Sequence, residues 1–327
     1  MASAPPPLPP IGVGTWAWGN QFLWGYDPAR DDAELEACFR RCIDLGFRFF
    51  DTADSYGTGR LNGRSESLLG RFALALPEAE RRQLCIATKL APFPWRLGRR
   101  GFERAFAASR ARLQGQLQRV QLHWSTARYA PWQEGPLLQG LADLVQSGAV
   151  ASLGLSNMGP RRLREVAGGL AERGVSIASL QVQLSLLAPE AVAPGGVAEV
   201  CRELGIELIA YSPLALGLLT RQPADAAQPT PQGPRGALFR RLGPRLTPLL
   251  ETMEAIGAGR PGGLAAVALN WCRAHGAMPI PGLRRCAQVE AAAAARSWSL
   301  SPGERAALDA LALAEGPRMP ANPFQSA

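Results

Sequence analysis

The alternation of short β-rich runs with longer amphipathic segments constrains this chain more than any other property of its sequence. Apolar, β-branched or aromatic runs lie near residues 12–16, 47–51, 84–89, 120–123, 151–156, 179–183, 206–211 and 277–281. Between them apolar residues recur at helical spacing, in 32–45, 102–117, 137–147, 161–173, 197–204 and 264–275, and a further helix is expected at 302–313. Strands separated by helices cannot pair as hairpins, so each must cross over and run parallel to the last. Eight such units predict an α/β chain folded as a closed (β/α)8 TIM barrel rather than an open doubly wound sheet. One stretch breaks the rhythm. Residues 214–261, rich in Pro, Gly, Gln and Arg, are too many for an ordinary connection. They read as a long, partly mobile functional loop after the seventh strand, with a short helix within 238–256. That position places the loop at the catalytic mouth of a barrel.

The chain has 327 residues, 47% of them hydrophobic and 19% charged, which suits one large packed domain over 11–327. The opening MASAPPPLPP has no basic n-region and no apolar h-region, and residues 1–10 read as a loose polyproline-like tail. No apolar run reaches the ~18 residues of a membrane-spanning helix. The six cysteines form no C-x-x-C pair and read as reduced core residues of a cytoplasmic protein. The net charge of +8 comes from scattered arginines beside apolar residues, which read as solvated helix faces rather than a nucleic-acid surface. No apolar surface stripe forces assembly, so a monomer or weak oligomer is expected.

The carboxyl ends of the expected strands carry Asp51 followed by Tyr56, then Lys89, His123, Ser156 and Asn157, Gln181, and Tyr211 and Ser212. Each ends an apolar run, and in a barrel these ends form the active site. Among the 35 basic residues Lys89 is the sole lysine. Arginine replaces lysine elsewhere, so position 89 requires a compact ammonium that a broad guanidinium cannot replace. Metal chemistry needs more ligands than Asp51 and His123 supply. No G-x-S-x-G elbow is present, and no G-x-G-x-x-G follows a strand. A carboxylate, a phenol, an ammonium and an imidazole remain. Free tyrosine, with a pKa of ~10, is a weak acid near neutrality. An ammonium anchored by Asp51 is expected to lower the Tyr56 pKa and make the phenol a proton donor.

At these residues the chain resembles the aldo-keto reductase superfamily. The motifs are FFDTADSYG at 49–57, GRSESLLGRF at 63–72, ATK at 87–89, VQLHW at 120–124, GLSN at 154–157, LQVQLSLL at 180–187, LIAYSPLALGLLT at 208–220 and PIPGLRRCAQVE at 279–290. The similarity spans roughly residues 11–311, and the 208–220 segment is similar to plant-plastid and cyanobacterial members. The resemblance implies reduction of aldehydes and ketones by hydride from NADPH. In that scheme Tyr56 is the general acid, Lys89 tunes it, Asp51 anchors Lys89 and His123 orients the carbonyl. It further implies cofactor contacts at Gly14, Thr15, Trp16, Asp51, Ser156, Asn157, Gln181, Tyr211, Ser212, Pro213 and Leu214, with Tyr211 stacking beneath the nicotinamide.

At the adenosine end the sequence departs from the family. Gly282 stands where many members have lysine, Gln288 where many have arginine, and Ala291 and Ala292 where a glutamate and an asparagine often hold the adenine. Arg284 and Arg285 are expected to bind the 2′-phosphate, which favours NADPH over NADH. Six tryptophans precede residue 133, and Trp18, Trp24, Trp95 and Trp124 are expected to shape an aromatic mouth for a small carbonyl substrate. Pyridoxal, lipid aldehydes, methylglyoxal and sugar derivatives are candidates. Arg96 and Arg128 are weaker candidates for an acidic group, and His275 reads as a helix-end residue beside carbonyls. A nucleotide-sensing, non-turnover subunit of the same fold is the alternative reading. A phosphate-binding isomerase barrel is a weaker one, because 214–261 lacks a Gly-rich phosphate loop.

Overall fold

A computed structural model describes residues 11–220, 231–314 and 316–326. The eight expected strands form β1 (Val13–Gly14), β2 (Phe49–Asp51), β3 (Cys85–Leu90), β4 (Arg119–Leu122), β5 (Ser152–Ser156), β6 (Ile177–Gln183), β7 (Glu207–Tyr211) and β8 (Ala277–Ile280). Each pairs in parallel with the next, in sequence order. The Gly12 and Gly14 amides donate to the Pro279 and Pro281 carbonyls, each at 3.0 Å, and a parallel bridge joins Gly14 to Gly282, so the sheet closes on itself.

The outer helices are α1 (Gln21–Trp24), α2 (Pro28–Asp44), α3 (Arg64–Leu74), α4 (Glu78–Arg81), α5 (Glu103–Arg112), α6 (Pro131–Gln146), α7 (Pro160–Ala171) and α8 (Val197–Leu204). They continue with α9 (Gly233–Leu242), α10 (Thr247–Gly257), α11 (Gly263–Ala274), α12 (Cys286–Ala294) and α13 (Pro302–Leu313). Local chemistry fixes several ends. Asp27 caps α2 through the Ala29 amide with Pro28 following, and Ser301 and Glu304 form a reciprocal capping box on α13. The 214–261 segment is mostly helical where described: a short 3-10 stretch (Ala215–Thr220), α9 and α10. The single helix expected within 238–256 is replaced by two, broken by a 3-10 turn at Gly243–Arg245. Residues 1–10 and the Pro-rich 221–230 lie outside the described residues, as does any motion expected of the latter. Among the described residues no helix is long and apolar enough to cross a membrane.

The period of two along each strand sorts the side chains. Phe50 faces outward and packs on Phe39 of α2, which in turn meets Phe72 of α3, in the large core between strands and helices. Phe49 faces inward and joins Ala87, Ile209, Met278 and Ile280 in a small apolar layer inside the barrel. Two residues further along the same strands stand Asp51, Lys89 and Tyr211, so the polar layer at the mouth sits directly on an apolar floor. At the opposite end, buried Arg119 donates to Ser152 Oγ (3.0 Å) and pairs with Glu207 (3.4 Å).

The closing seam is tight. A Cβ on Gly14 would stand 2.9 Å from the Ile280 carbonyl oxygen, a backbone atom that cannot rotate away. Gly14→Ala should therefore cost about 1–3 kcal/mol, as overpacking does. Equilibrium urea unfolding should show a lowered midpoint, and an unchanged midpoint would mean that the seam yields freely.

Candidate active site

Lys89 and Asp51 reach the mouth from adjacent strands and are 1% exposed. The Lys89 ammonium donates to Asp51 Oδ2 and, at 2.8 Å, to the Thr52 carbonyl. Asp51 Oδ1 accepts two amides, Gln121 Nε2 at 2.9 Å and Gln181 Nε2 at 2.7 Å. The buried charge pair is thus satisfied on both sides, which burial demands. Burial lowers the Lys89 pKa from its ordinary value against the opposing pull of Asp51. Gln121 was not expected as part of the site. Its signal was a lone amide inside the apolar run of β4.

The Lys89 ammonium lies 4.8 Å from the Tyr56 ring centroid, over the ring face, and both its hydrogen bonds go elsewhere. Contrary to expectation, the ammonium does not acidify the phenol. The Tyr56 pKa is pushed well above its ordinary value, first by burial and then by the charges of Asp51 and Asp54. Desolvation disfavours the phenolate, and the nearby ammonium is turned to Asp51. Tyr56 is therefore a neutral phenol carrying its proton. His123 packs edge-on to Tyr56, with ring centroids 5.8 Å apart, and its Nδ1 lies 3.4 Å from Ser55 Oγ. Burial, then Lys89 and Arg96, lower its pKa well below the usual histidine value, so the imidazole is neutral. Both rings keep some accessible surface, but it faces the cavity that they line.

That cavity, of about 1090 Å³, runs from these four residues across the seam to α12. Its wall includes Trp16, Ser156, Asn157, Gln181, Tyr211, Ser212, Pro213 and Leu214, the bridged pair Gly14 and Gly282 at the seam, and Arg284, Arg285 and Gln288 towards α12. Thr15 is the exception among the expected contacts. It is fully buried behind the wall, with its hydroxyl on the Asp51 carbonyl (2.9 Å) and beside Ser65 Oγ (2.7 Å). Asn157 has a left-handed backbone, φ 59°. Its Nδ2 donates to the His123 carbonyl (3.0 Å) and Ser156 Oγ (3.1 Å), and its Oδ1 accepts from Tyr211 Oη (3.0 Å).

The segment after α13, which no expected element covers, forms a wall of the site. Asn322 Nδ2 donates to Asn157 Oδ1 (2.8 Å) and Tyr211 Oη (2.6 Å), the Ser326 amide donates to the Asn157 carbonyl (3.1 Å), and Phe324 stacks on Trp124 at 4.5 Å. No periodicity marks such a segment, because its contacts are made one residue at a time. Of the tryptophans expected at the mouth, Trp24 and Trp124 line the cavity. Trp18 does not. It is fully buried against Phe72 with its indole N–H on the Leu283 carbonyl (2.9 Å). Trp95 does not either, being 73% exposed and stacked on Phe93 outside the cavity. Arg96 is engaged by buried Asp54 and the Ala91 carbonyl, and Arg128 reaches the Gln325 carbonyl (3.3 Å). His275 pairs with Asp309 (2.8 Å) rather than with helix-end carbonyls.

The residues suit a dinucleotide laid along the cavity. Amides and neutral hydroxyls stand at the catalytic end, and three arginines, Arg235, Arg284 and Arg285, stand at the other. Two cavity residues, Trp24 and Arg235, each keep a buried nitrogen without a partner, Nε1 and Nε respectively. Among the described residues no cluster of three metal-type ligands occurs.

Comparison with known proteins agrees with this geometry. The model of a family described as "Aldo/keto reductase family" matches residues 10–313. Arabidopsis thaliana pyridoxal reductase, chloroplastic, is 44% identical over 322 residues, 97% of this chain and 87% of its own. An uncharacterized oxidoreductase of Mycobacterium tuberculosis is 34% identical over 307 residues, 91% of this chain and 87% of its own. Two solved structures share the fold. An aldo/keto reductase from Klebsiella pneumoniae in complex with NADP and acetate has a TM-score of 0.69 at 24% identity, covering 98% of this chain and 96% of its own. A glycerol dehydrogenase from Gluconobacter oxydans has a TM-score of 0.74 at 23% identity, covering 99% and 97%.

Two measurements check the electrostatics. Asp51→Ala leaves a buried ammonium without its counter-charge and two amides without their acceptor, and should lower stability by about 3–5 kcal/mol, while Asp51→Ala with Lys89→Met should recover part of the loss. Urea unfolding of the two variants reads this out, and a double variant no better than the single one would refute the coupling. The His123 pKa is lower folded than unfolded. Its stabilisation is therefore present above the unfolded value of about 6.5 and is lost as pH falls below it. Between about pH 7 and 5.5 the wild type should lose more stability than His123→Gln; equal slopes would contradict a neutral His123.

Proposed function

The chain belongs to the aldo/keto reductase family, an oxidoreductase family, and from that premise we propose that it reduces aldehydes and ketones to alcohols with NADPH, with Tyr56 as general acid. One observation carries the reading. A neutral, protonated phenol and a neutral imidazole face one cavity beside a buried ammonium fixed by Asp51. A dinucleotide bound in the cavity would supply a hydride for the carbonyl carbon, and the chain's own residues do the rest. The His123 imidazole, held between Ser55 and the Tyr56 ring, orients the carbonyl oxygen towards the phenol. As negative charge develops on that oxygen, the proton on Tyr56 Oη moves to it. The phenolate left behind is the species that burial disfavours, and the Lys89 charge is the local counterweight. Asp51 keeps the ammonium in register and charged, and Gln121 and Gln181 keep Asp51 in register.

The nicotinamide carboxamide is assigned to Ser156, Asn157 and Gln181, and its ring to the face of Tyr211. We assign small flat aldehydes as the substrate class, pyridoxal first. Trp16, Trp24, Trp124 and Phe324 give the mouth an aromatic lining, and the relative with 44% identity is named a pyridoxal reductase. Arg96, tied to Asp54, is not free to anchor an acidic substrate. The six cysteines are free, which supports a reducing compartment such as the cytoplasm.

The test is a carbonyl panel, including pyridoxal and 4-nitrobenzaldehyde, with NADPH and NADH as reductants. NADPH should be consumed with aldehyde and NADH used more poorly. Tyr56→Phe should lower kcat by about 10²–10⁴-fold while NADPH still quenches tryptophan fluorescence. Undiminished turnover in that variant would remove Tyr56 as the acid. A wild type that binds NADPH but turns over no carbonyl would be a nucleotide-sensing subunit instead.

A further inference from the structure

A second ion pair, Asp54 with Arg96, stands at the mouth beside that of Lys89 and Asp51. Asp54, two residues before Tyr56, is 4% exposed, and its carboxylate accepts from the Arg96 guanidinium. Its Oδ1 also accepts the Ala91 amide at 3.3 Å, and its own amide donates to the Lys89 carbonyl at 3.0 Å. Arg96 is held at both ends. Its guanidinium donates to the Ala91 carbonyl at 2.6 Å and lies 4.9 Å from the Phe93 ring centroid, while its own carbonyl accepts Gln133 Nε2 at 2.9 Å.

Asp54 lies in the tight turn that carries the reacting groups. The Tyr56 amide donates to the Ala53 carbonyl at 3.1 Å, so residues 53–56 fold back on themselves. Ser55, inside the turn, sets its Oγ 3.4 Å from His123 Nδ1, and Tyr56, at its end, lines the cavity. The turn lies beyond the end of β2 at Asp51, and the Asp54 amide makes its last backbone bond to β3. Burying charges is costly, and an apolar contact would serve a turn that needed only to be packed. An ion pair is a directional joint. It fixes the Asp54 carboxylate, and with it the main chain two residues from the phenol.

The two charges also act on the two rings in the same sense. Asp54, after burial and Asp51, raises the Tyr56 pKa, and Arg96, after burial and Lys89, lowers that of His123. Each ring is thereby kept neutral. The groups facing the Asp54 carboxylate are Arg96 from the loop after β3, Glu66 from α3, and Lys89 and Tyr56 at the mouth. Burial pushes the Asp54 pKa up to about 6 against the pull of Arg96, so the carboxylate is charged at neutral pH and is neutralised below it.

We propose that Asp54 and Arg96 are positioning residues of the reduction. Their ion pair pins the 53–56 turn to the end of β3 and so places the Tyr56 phenol and the Ser55–His123 contact on the cavity. Neither residue lines that cavity, so both act through the rings that do. The proposal rests on the reductase reading for its effect on turnover, whereas the placement of His123 is testable without it.

Asp54→Asn keeps the shape of the side chain and an acceptor for the Ala91 amide while removing the charge. With a carbonyl substrate and NADPH it should lower kcat by about tenfold to a hundredfold and leave the KM for NADPH unchanged. Wild-type kcat should fall between about pH 7 and 5 as Asp54 takes up its proton, and Asp54→Asn should show no such fall. Arg96→Gln should lose as much as Asp54→Asn, the double variant no more than either, and Arg96→Lys should recover part of the loss. The chain has two histidines, so ring NMR signals report on His123 with His275, paired with Asp309, as an internal control. In Asp54→Asn the His123 signals should move and those of His275 should stay. An undiminished kcat in Asp54→Asn and Arg96→Gln would overturn the proposal, as would a shift of both histidines together, the mark of general loosening. A wild type that reduces no carbonyl would remove the reductase reading. The His123 signals would then decide the placement alone: unmoved in Asp54→Asn, they overturn it.

Discussion

The buried ion pair of Lys89 with Asp51 is the interaction on which the mouth of this barrel depends. Taking two charges out of water is expensive, and the expense is offset only when every remaining lone pair and proton is engaged. Here Thr52, Gln121 and Gln181 provide those partners from three parts of the wall. The pair therefore does more than hold itself together. It ties β2, β3, β4 and β6 into one polar layer above the apolar floor of Phe49, Ala87, Ile209 and Met278. A charged layer on a dry floor also sets the protonation states around it. Tyr56 is neutral because burial, then the charges of Asp51 and Asp54, disfavour the phenolate, and His123 is neutral because burial, then the charges of Lys89 and Arg96, disfavour the imidazolium.

This arrangement bears on the proposed proton transfer from Tyr56. A phenol that is strongly acidic at rest would surrender its proton before a carbonyl arrived. A phenol kept neutral by burial retains its proton until charge appears on the substrate oxygen, and only then does the neighbouring ammonium matter. In the proposed reaction the lysine acts on the product of proton transfer rather than on the resting group. That role still requires a compact cation, and it accounts for lysine at the one position where this arginine-rich chain keeps it.

Much of this was legible in the sequence because it follows from local periodicity. The eight apolar runs became the eight strands, with ends displaced by a residue or two, and α8 and α13 match their expected bounds. Asp51, Lys89 and His123 could be placed because strand ends in a parallel barrel share one face. What was illegible depends on contacts between distant segments. Trp16 and Trp18 lie two residues apart, yet a tight turn sends one to the cavity and the other into the core against Phe72. Arg235 and Asn322 lie in segments without regular pattern, and their positions are fixed by Trp24, Asn157 and Tyr211, far away along the chain. The Tyr56 pKa was misjudged for a related reason. A list of neighbouring charges does not report how completely a ring is enclosed, and enclosure decides the sign.

The seam between β1 and β8 has a consequence for the lifetime of the folded chain. It joins segments near opposite ends of the described sequence, so the entropy of closing the ring falls on a strand of two residues and a few backbone bonds. Such a joint is the natural starting point for unzipping. The cavity straddles it, with Gly14 and Trp16 on one lip and Gly282 and Arg284 on the other. Any molecule lying along the cavity grips both lips at once and acts as a suture. Occupancy then governs resistance to proteases and to thermal inactivation, so a cell that lets its pool of the occupant run down also shortens the survival of the protein.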